Sequence, residues 1–232
     1  MTIDRDRLKR DAALAAVDYV KDGMIVGLGT GSTASFVVEA LAGRVKQGLN
    51  IIGIPTSERT KSLAEQLDIR LASLAEHQII DLTIDGADEV QQGTLDLIKG
   101  HGGALLREKI VAMASSQLLI AVDPRKLVTT LGSVFAVPVE VVPFGWETTM
   151  TRLRELGFAP ELRKKDDGQP YVTDGHHYIV HCELSQSGLT AEQAADRLKA
   201  TVGVVEHGLF LGMANRVVIG GPEGIQVLNA AR

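Results

Sequence analysis

Met24-Ile25-Val26-Gly27-Leu28, running into Gly29-Thr30-Gly31-Ser32-Thr33-Ala34, decides the fold. A short apolar run bounded by turn residues fits a strand buried on both faces, as in a parallel sheet. The second half spells G-x-G-x-x-A, and Phe36, Val37, Ala40 and Leu41 follow at helical spacing. Strand, glycine turn and helix make the opening unit of an alternating α/β chain. Upstream, residues 4–20 read as a helix, with Leu8, Ala12, Ala15 and Ala16 near one face, closed by the turn Lys21-Asp22-Gly23. Downstream the alternation repeats: a strand over 51–54, a helix from a Ser57 cap to 67, a strand over 79–84, a helix over 104–115 and a strand over 118–122. The expected architecture is therefore α/β, a Rossmann-like, mostly parallel sheet flanked by helices.

The pattern changes near residue 133. A β-rich run (134–142), a helix (144–156) stopped by Gly157 and two β-segments around the polar turn 164–168 come next. A strand over 178–184 and a helix begun by a Thr190/Gln193 capping box follow. Residues 217–219 and 225–228 pair across Gly221-Pro222-Glu223-Gly224 and return to the first sheet. The expected division is a large α/β catalytic domain (1–132 plus 207–232) with a smaller inserted α+β domain (133–206).

The chain has 232 residues, a formal net charge of -5, 45% hydrophobic and 23% charged residues. That is ordinary globular composition, which excludes a disordered chain and a fibre. Mild acidity leaves no electrostatic footprint for nucleic acid, although a local site can still bind a small anion. Cys182 is the single cysteine, so no internal disulfide framework exists; a reducing cytoplasm and a small packed thiol are the simple readings. No apolar run approaches the roughly 18 residues of a membrane span. Residues 1–10 are polar with both charge signs, unlike a secretory or transit peptide.

Chemistry concentrates in three segments that each follow a predicted strand, where open α/β sheets bind ligands. In the first, 29–33, a dinucleotide would want an acid closing the second strand, but that strand closes on Pro55-Thr56-Ser57. A phosphate monoester, held by helix N-terminal N–H groups with the Ser32 and Thr33 hydroxyls, fits better. A ligand-free capped turn is the third reading. The second segment, Asp85-Gly86-Ala87-Asp88-Glu89, offers hydroxyl binding, proton transfer or a divalent ion, against a solvated turn. Lys99, in the third segment, competes with a metal there. That segment, Lys99-Gly100-His101-Gly102-Gly103-Ala104, runs into a helix carrying Arg107-Glu108-Lys109. Glu108, early on the helix, can lean back toward the loop. Read locally it is a surface ion pair with Arg107, Lys109 or another cation, with a carboxylate reaching a bound substrate as the alternative, and burial and Lys99 would pull its pKa in opposite directions. His101 reads as a local hydrogen-bonding loop residue, with shuttle or ligand as the alternatives. His177 and His181 read as a polar hairpin face, Trp146 as packing, and Lys126 as a phosphate or hydroxyl contact beyond a strand.

Taken in order, these segments resemble ribose-5-phosphate isomerase of type A. Gly27 to Thr33, Asp85 to Glu89, Lys99 to Lys109, Asp123-Pro124-Arg125-Lys126, Val137-Pro138-Val139-Glu140-Val141 and Ala214-Asn215-Arg216 all carry the likeness, over essentially the whole chain. The resemblance implies interconversion of D-ribose 5-phosphate and D-ribulose 5-phosphate through an enediolate, in the non-oxidative pentose phosphate pathway. It implies no metal and no organic cofactor, a cytoplasmic homodimer or homotetramer, and no nucleic-acid or membrane partner. It makes Glu108 the general base, with Asp85, Asp88 and Lys99 as further catalytic groups. Substrate contacts fall on Thr30, Gly31, Ser32, Thr33, Asp85, Gly86, Ala87, Asp88, Lys99, Gly100, His101, Gly102 and Lys126. The chain departs from the family pattern at His101, where the pattern has glycine. A sugar-phosphate sensor on the same scaffold is the alternative, although no residues remain for a basic DNA-binding module. Amino-sugar phosphate deamination, acyl-CoA transfer and nicotinamide-dependent dehydrogenation are the other enzyme readings.

Overall fold

The structure is a computed structural model that describes residues 4–230; positions 1–3 of the polar start lie outside the described residues. The first half of the chain is built from α1 (Arg5–Val17), β1 (Ile25–Leu28), α2 (Ser32–Lys46), β2 (Ile52–Pro55), α3 (Glu58–Gln66) and β3 (Leu82–Asp85). Two short strands, β4 (Glu89–Gln91) and β5 (Leu97–Ile98), precede α4 (Leu105–Met113) and β6 (Leu118–Val122). A 3-10 turn (Pro124–Lys126) leads through β7 (Leu127–Val128) to β8 (Val137–Val141), α5 (Trp146–Glu155), β9 (Pro160–Leu162) and β10 (Tyr178–Cys182). The chain closes with α6 (Ala191–Ala200), β11 (Val204–His207), β12 (Leu209–Phe210), β13 (Arg216–Gly221) and β14 (Gly224–Asn229).

The main sheet has six strands in the order β14-β13-β6-β3-β1-β2. All pair in parallel except the β13–β14 hairpin. The chain enters at β1, steps outward to β2, then crosses back to β3. Strand order therefore reverses between β1 and β3, which is where such sheets open a crevice at the carboxyl ends of their strands. Alanines 12, 13 and 16 of α1 and Val37, Val38 and Leu41 of α2 bury against Val26, Leu28, Leu82 and Ile84. Their small and branched side chains let the helices lie close on the sheet.

A second sheet, β11-β8-β10-β9, is wholly antiparallel and packs beneath α5 and α6. Its strands come from residues 137–207, yet its apolar cluster also takes in Ile98, Val128, Leu131 and Leu209. The Thr190/Gln193 capping box forms with both bonds in place. A third sheet, β12-β5-β4-β7, has strands of two or three residues and was not expected from the sequence.

Several boundaries differ from expectation: α1 ends at Val17 rather than 20, β8 begins at Val137 rather than 134 and β10 ends at Cys182 rather than 184. The strand predicted from 79 begins at Leu82; Ile80 makes only an isolated bridge to Ser115, and Ile79 is exposed. The helix predicted from 144 begins at Trp146, because Gly145 turns the backbone into the left-handed region. Beyond the 164–168 turn only single bridges form, Lys164 to Pro170 and Val172 to Tyr178. Pro170 has no N–H with which to extend a ladder. Among the described residues no helix is long and apolar enough to cross a membrane.

Candidate active site

The loops after β1, β3, β5 and β6 converge on a cleft of about 180 Å³. Thr30 to Thr33 line one wall, Gly86 to Asp88 another, with Lys99, Gly100, Gly102 and Glu108 at the base and Lys126 at the rim. Close approach of the first two loops depends on Gly29, where a Cβ would run into the Asp85 carboxylate. Bare backbone there lets Asp85 Oδ1 accept from the Thr30 N–H at 3.0 Å and from its neighbour Gly86 N–H at 2.7 Å.

The wall segments play different parts. Gly31 is the N-cap of α2 and offers no side chain to its first N–H groups, so that helix end is open toward the cleft, with Ser32 and Thr33 in its first turn. The Thr30 hydroxyl turns away. It lies 2.7 Å from Thr56 Oγ1 and donates to Ser57 Oγ at 2.8 Å, while Thr60 Oγ1 donates to Gly29 O at 2.9 Å. This hydroxyl knot fixes the loop from behind.

At the base, Lys99 is 3% exposed and its Nζ meets Gly86 O at 2.7 Å, Asp85 Oδ2 at 2.9 Å and Glu108 Oε2 at 3.3 Å. Its own N–H donates to Gly208 O at 2.9 Å. Burial alone would lower the lysine pKa, but the facing carboxylates of Asp85 and Glu108 outweigh it and hold Lys99 above the usual range. One ammonium thus faces two buried carboxylates, and Asp85 has the nearer contact. Glu108 is left short of compensation, and its buried Oε2 has no hydrogen-bond partner among the described residues. Burial, opposed by Lys99 and reinforced by Asp85 and Asp88, pushes Glu108 up to about 8. The direction left open by the sequence is therefore upward.

Not every candidate faces the cleft. Asp85 stands behind the wall, gripping Lys99. The His101 side chain leaves the site: its Nε2 donates to Ala136 O at 2.9 Å, and its ring stacks on His181 with centroids 4.9 Å apart. His181 accordingly belongs to a contact between β10 and the loop after β5 rather than to a hairpin surface, and burial lowers it to about 4. His177 pairs instead with the buried Glu140, Nδ1 to Oε1 at 2.9 Å. The third acid of the carboxylate segment, Glu89, is buried elsewhere and accepts from the N–H groups of Gly132, Val134 and Phe135 at 2.6–2.8 Å. Trp146 packs edge-on against Tyr178, as expected of a packing residue.

Three lining residues are not among the site residues expected from the sequence: Lys9, Asp123 and Arg125. Arg125 grips Asp123 through Nε at 2.8 Å and Nη2 at 2.9 Å. Their place beside Lys126 was the available signal; Lys9, one charge among several on α1, offered none. Among the described residues no group of three or more His, Cys, Asp or Glu side chains is arranged to hold a metal ion.

The family model for ribose 5-phosphate isomerase A (phosphoriboisomerase A) matches residues 52–224. Ribose-5-phosphate isomerase A of Synechococcus sp. (strain JA-3-3Ab) is 55% identical over 224 residues, 96% of this chain and 97% of that protein. The solved ribose 5-phosphate isomerase from Plasmodium falciparum superposes with a TM-score of 0.93 at 41% identity, covering 98% of this chain and 100% of the other. A D-ribose-5-phosphate isomerase solved in complex with phospho-erythronic acid also gives 0.93, at 35% identity over 98% and 100% of the two chains.

Proposed function

The chain belongs to the ribose 5-phosphate isomerase A family, and from that premise we propose how its residues divide the work. The reaction is the aldose–ketose interconversion of D-ribose 5-phosphate and D-ribulose 5-phosphate. Glu108 takes the C2 proton of the open-chain aldose. The C–H electron pair becomes the C1–C2 double bond, and negative charge collects on the former carbonyl oxygen. Returning the proton to C1, while the C2 hydroxyl proton passes to the C1 oxyanion, gives the ketose with its C2 carbonyl and C1 hydroxyl. One base serves both steps, which suits a carboxylate whose pKa lies near working pH. Lys99 and the N–H groups of Gly100 and Gly102 stabilise the enediolate oxygens. Asp88 holds sugar hydroxyls and relays a proton as the furanose ring opens; Asp85 keeps Lys99 in place. The phosphate lies on the open N-terminus of α2 with Ser32 and Thr33, facing Lys126. Anchoring that remote group orients the reacting carbons.

The observation that carries this assignment is the buried Glu108 Oε2, unpartnered by hydrogen bonds among the described residues and 3.3 Å from Lys99 at the base of the cleft. The neighbour's complex with phospho-erythronic acid supports a cleft that accepts a phosphorylated anion. The proposal extends to a metal-independent, cytoplasmic homodimer or homotetramer, without nucleic-acid partners, organised as the two units 1–132 plus 207–232 and 133–206. The test is turnover of ribose 5-phosphate by protein dialysed against EDTA, beside Glu108→Gln. The wild type should turn over without added metal. The variant should lose about 10²–10⁴-fold in kcat with KM within a few-fold. A variant that kept most of its activity would remove Glu108 from the role of base.

A further inference from the structure

Both backbone groups of His101 are engaged. Its N–H donates to Asp88 Oδ2 at 3.0 Å, and its carbonyl accepts from Arg163 Nη1 at 2.8 Å. Arg163 follows β9, in the antiparallel sheet, and is not part of the cleft lining. Its guanidinium lies 3.9 Å from the centroid of the Tyr171 ring. The Tyr171 hydroxyl packs in turn on Gly103, whose φ is +89° and where a Cβ would collide with it. The His101 ring reaches the same way, onto His181 of β10. The loop from Lys99 to Gly103 is therefore pinned from outside by the hairpin that joins β9 to β10.

From this chain of contacts we infer that Arg163 is a positioning residue for the isomerisation. It holds the His101 peptide. Through that peptide it sets the orientation of the Asp88 carboxylate and of the Gly100 and Gly102 backbone against the reacting end of the sugar. A charged donor on a carbonyl makes a stronger restraint than a neutral one, and the planar guanidinium is pre-oriented by its stack on Tyr171. His101 acquires a purpose from the same geometry. Its ring binds the loop to the second sheet. The inference rests on the substrate placement proposed above.

The test is Arg163→Met, which keeps an unbranched apolar stem and removes every donor. Small misplacements of catalytic groups are costly. Arg163→Met should lower kcat about 10-fold while KM stays within about threefold and the melting temperature stays close to that of the wild type. Arg163→Lys, which retains charge and a donor, should recover part of the loss. Unchanged kcat in Arg163→Met would overturn the inference, and so would a loss fully accounted for by unfolded protein. Should Arg163→Met not fold, Tyr171→Leu removes the platform that orients the guanidinium. It should reproduce a smaller fall confined to kcat, and an unchanged kcat there would overturn the inference equally. Wild type and Glu108→Gln run alongside. Failure of those two strikes the site assignment, whereas failure of the Arg163 and Tyr171 variants alone strikes only the positioning role.

Discussion

Glu108 and Lys99 occupy a stretch of interior that neither charge could enter alone. The ammonium serves Asp85 first, at 2.9 Å, and Glu108 second, at 3.3 Å, so the glutamate keeps a proton to unusually high pH. Two consequences share that cause. The deprotonated base becomes available only as pH rises toward about 8, so kcat/KM should show an acidic limb centred nearer 8 than the ordinary 4.5. A limb in the ordinary carboxylate range would contradict the burial argument. In stability the sign is opposite. Between 4.5 and about 8 the folded protein binds this proton and the unfolded chain does not. The associated stability is full below 4.5 and is lost as pH rises through 8. The melting temperature of Glu108→Gln, relative to wild type, should therefore climb between those limits. Lys126 acts differently, through the phosphate: Lys126→Ala should raise KM severalfold with little change in melting temperature, and an unaltered KM would remove it from phosphate binding. The sequence pointed to Lys99 and Lys126 through their places beyond strand ends, and to Glu108 only through the resemblance carried by Arg107-Glu108-Lys109, since a helical glutamate between two cations reads locally as a surface ion pair. It was silent on Lys9, because a lone cation on a surface helix carries no local mark of what it will face.

Elements with a strong period and clear punctuation were legible. β1, β2 and β6 matched to within a residue or so because apolar runs ended at Gly29, Pro55 and Asp123. The short strands β4, β5, β7 and β12 were not, since two or three residues display no period and pair only where β3, β6 and β11 deliver them to the same place. The contact of β1 with β3 carries its own prediction. Gly29→Ala puts a methyl into the Asp85 carboxylate. Overpacking of this kind costs about 1–3 kcal/mol. Here it also pushes Asp85 away from Lys99, so kcat/KM should fall together with the melting temperature. A variant with lowered stability and intact kcat/KM would show that Asp85 can shift without disturbing the lysine.

At the scale of the whole molecule, the alternation of strands and helices was enough to announce an α/β sheet. It could not show that the order reverses between β1 and β3, because lateral order depends on contacts between segments remote in sequence. Nor could it show how firmly the second sheet is joined to the rest of the molecule. The core beneath α5 and α6 borrows Ile98, Val128, Leu131 and Leu209 from outside residues 133–206. Arg163, Tyr171 and His181 reach back over the glycine loop. Heating should accordingly give one calorimetric transition in which enzymatic activity and near-ultraviolet signal disappear together. Two resolved transitions would mean that the shared cluster contributes little.

The place of β13 has a consequence for how the protein is made. Every cleft-lining residue has left the ribosome's catalytic centre once Lys126 is added. The open flank of β6, however, stays unpaired until Arg216–Gly221 arrives to lie beside it. Vectorial synthesis therefore delivers the chemistry early and its scaffold last, and a nascent chain stalled before this final hairpin carries a full set of reacting side chains on an unfinished sheet.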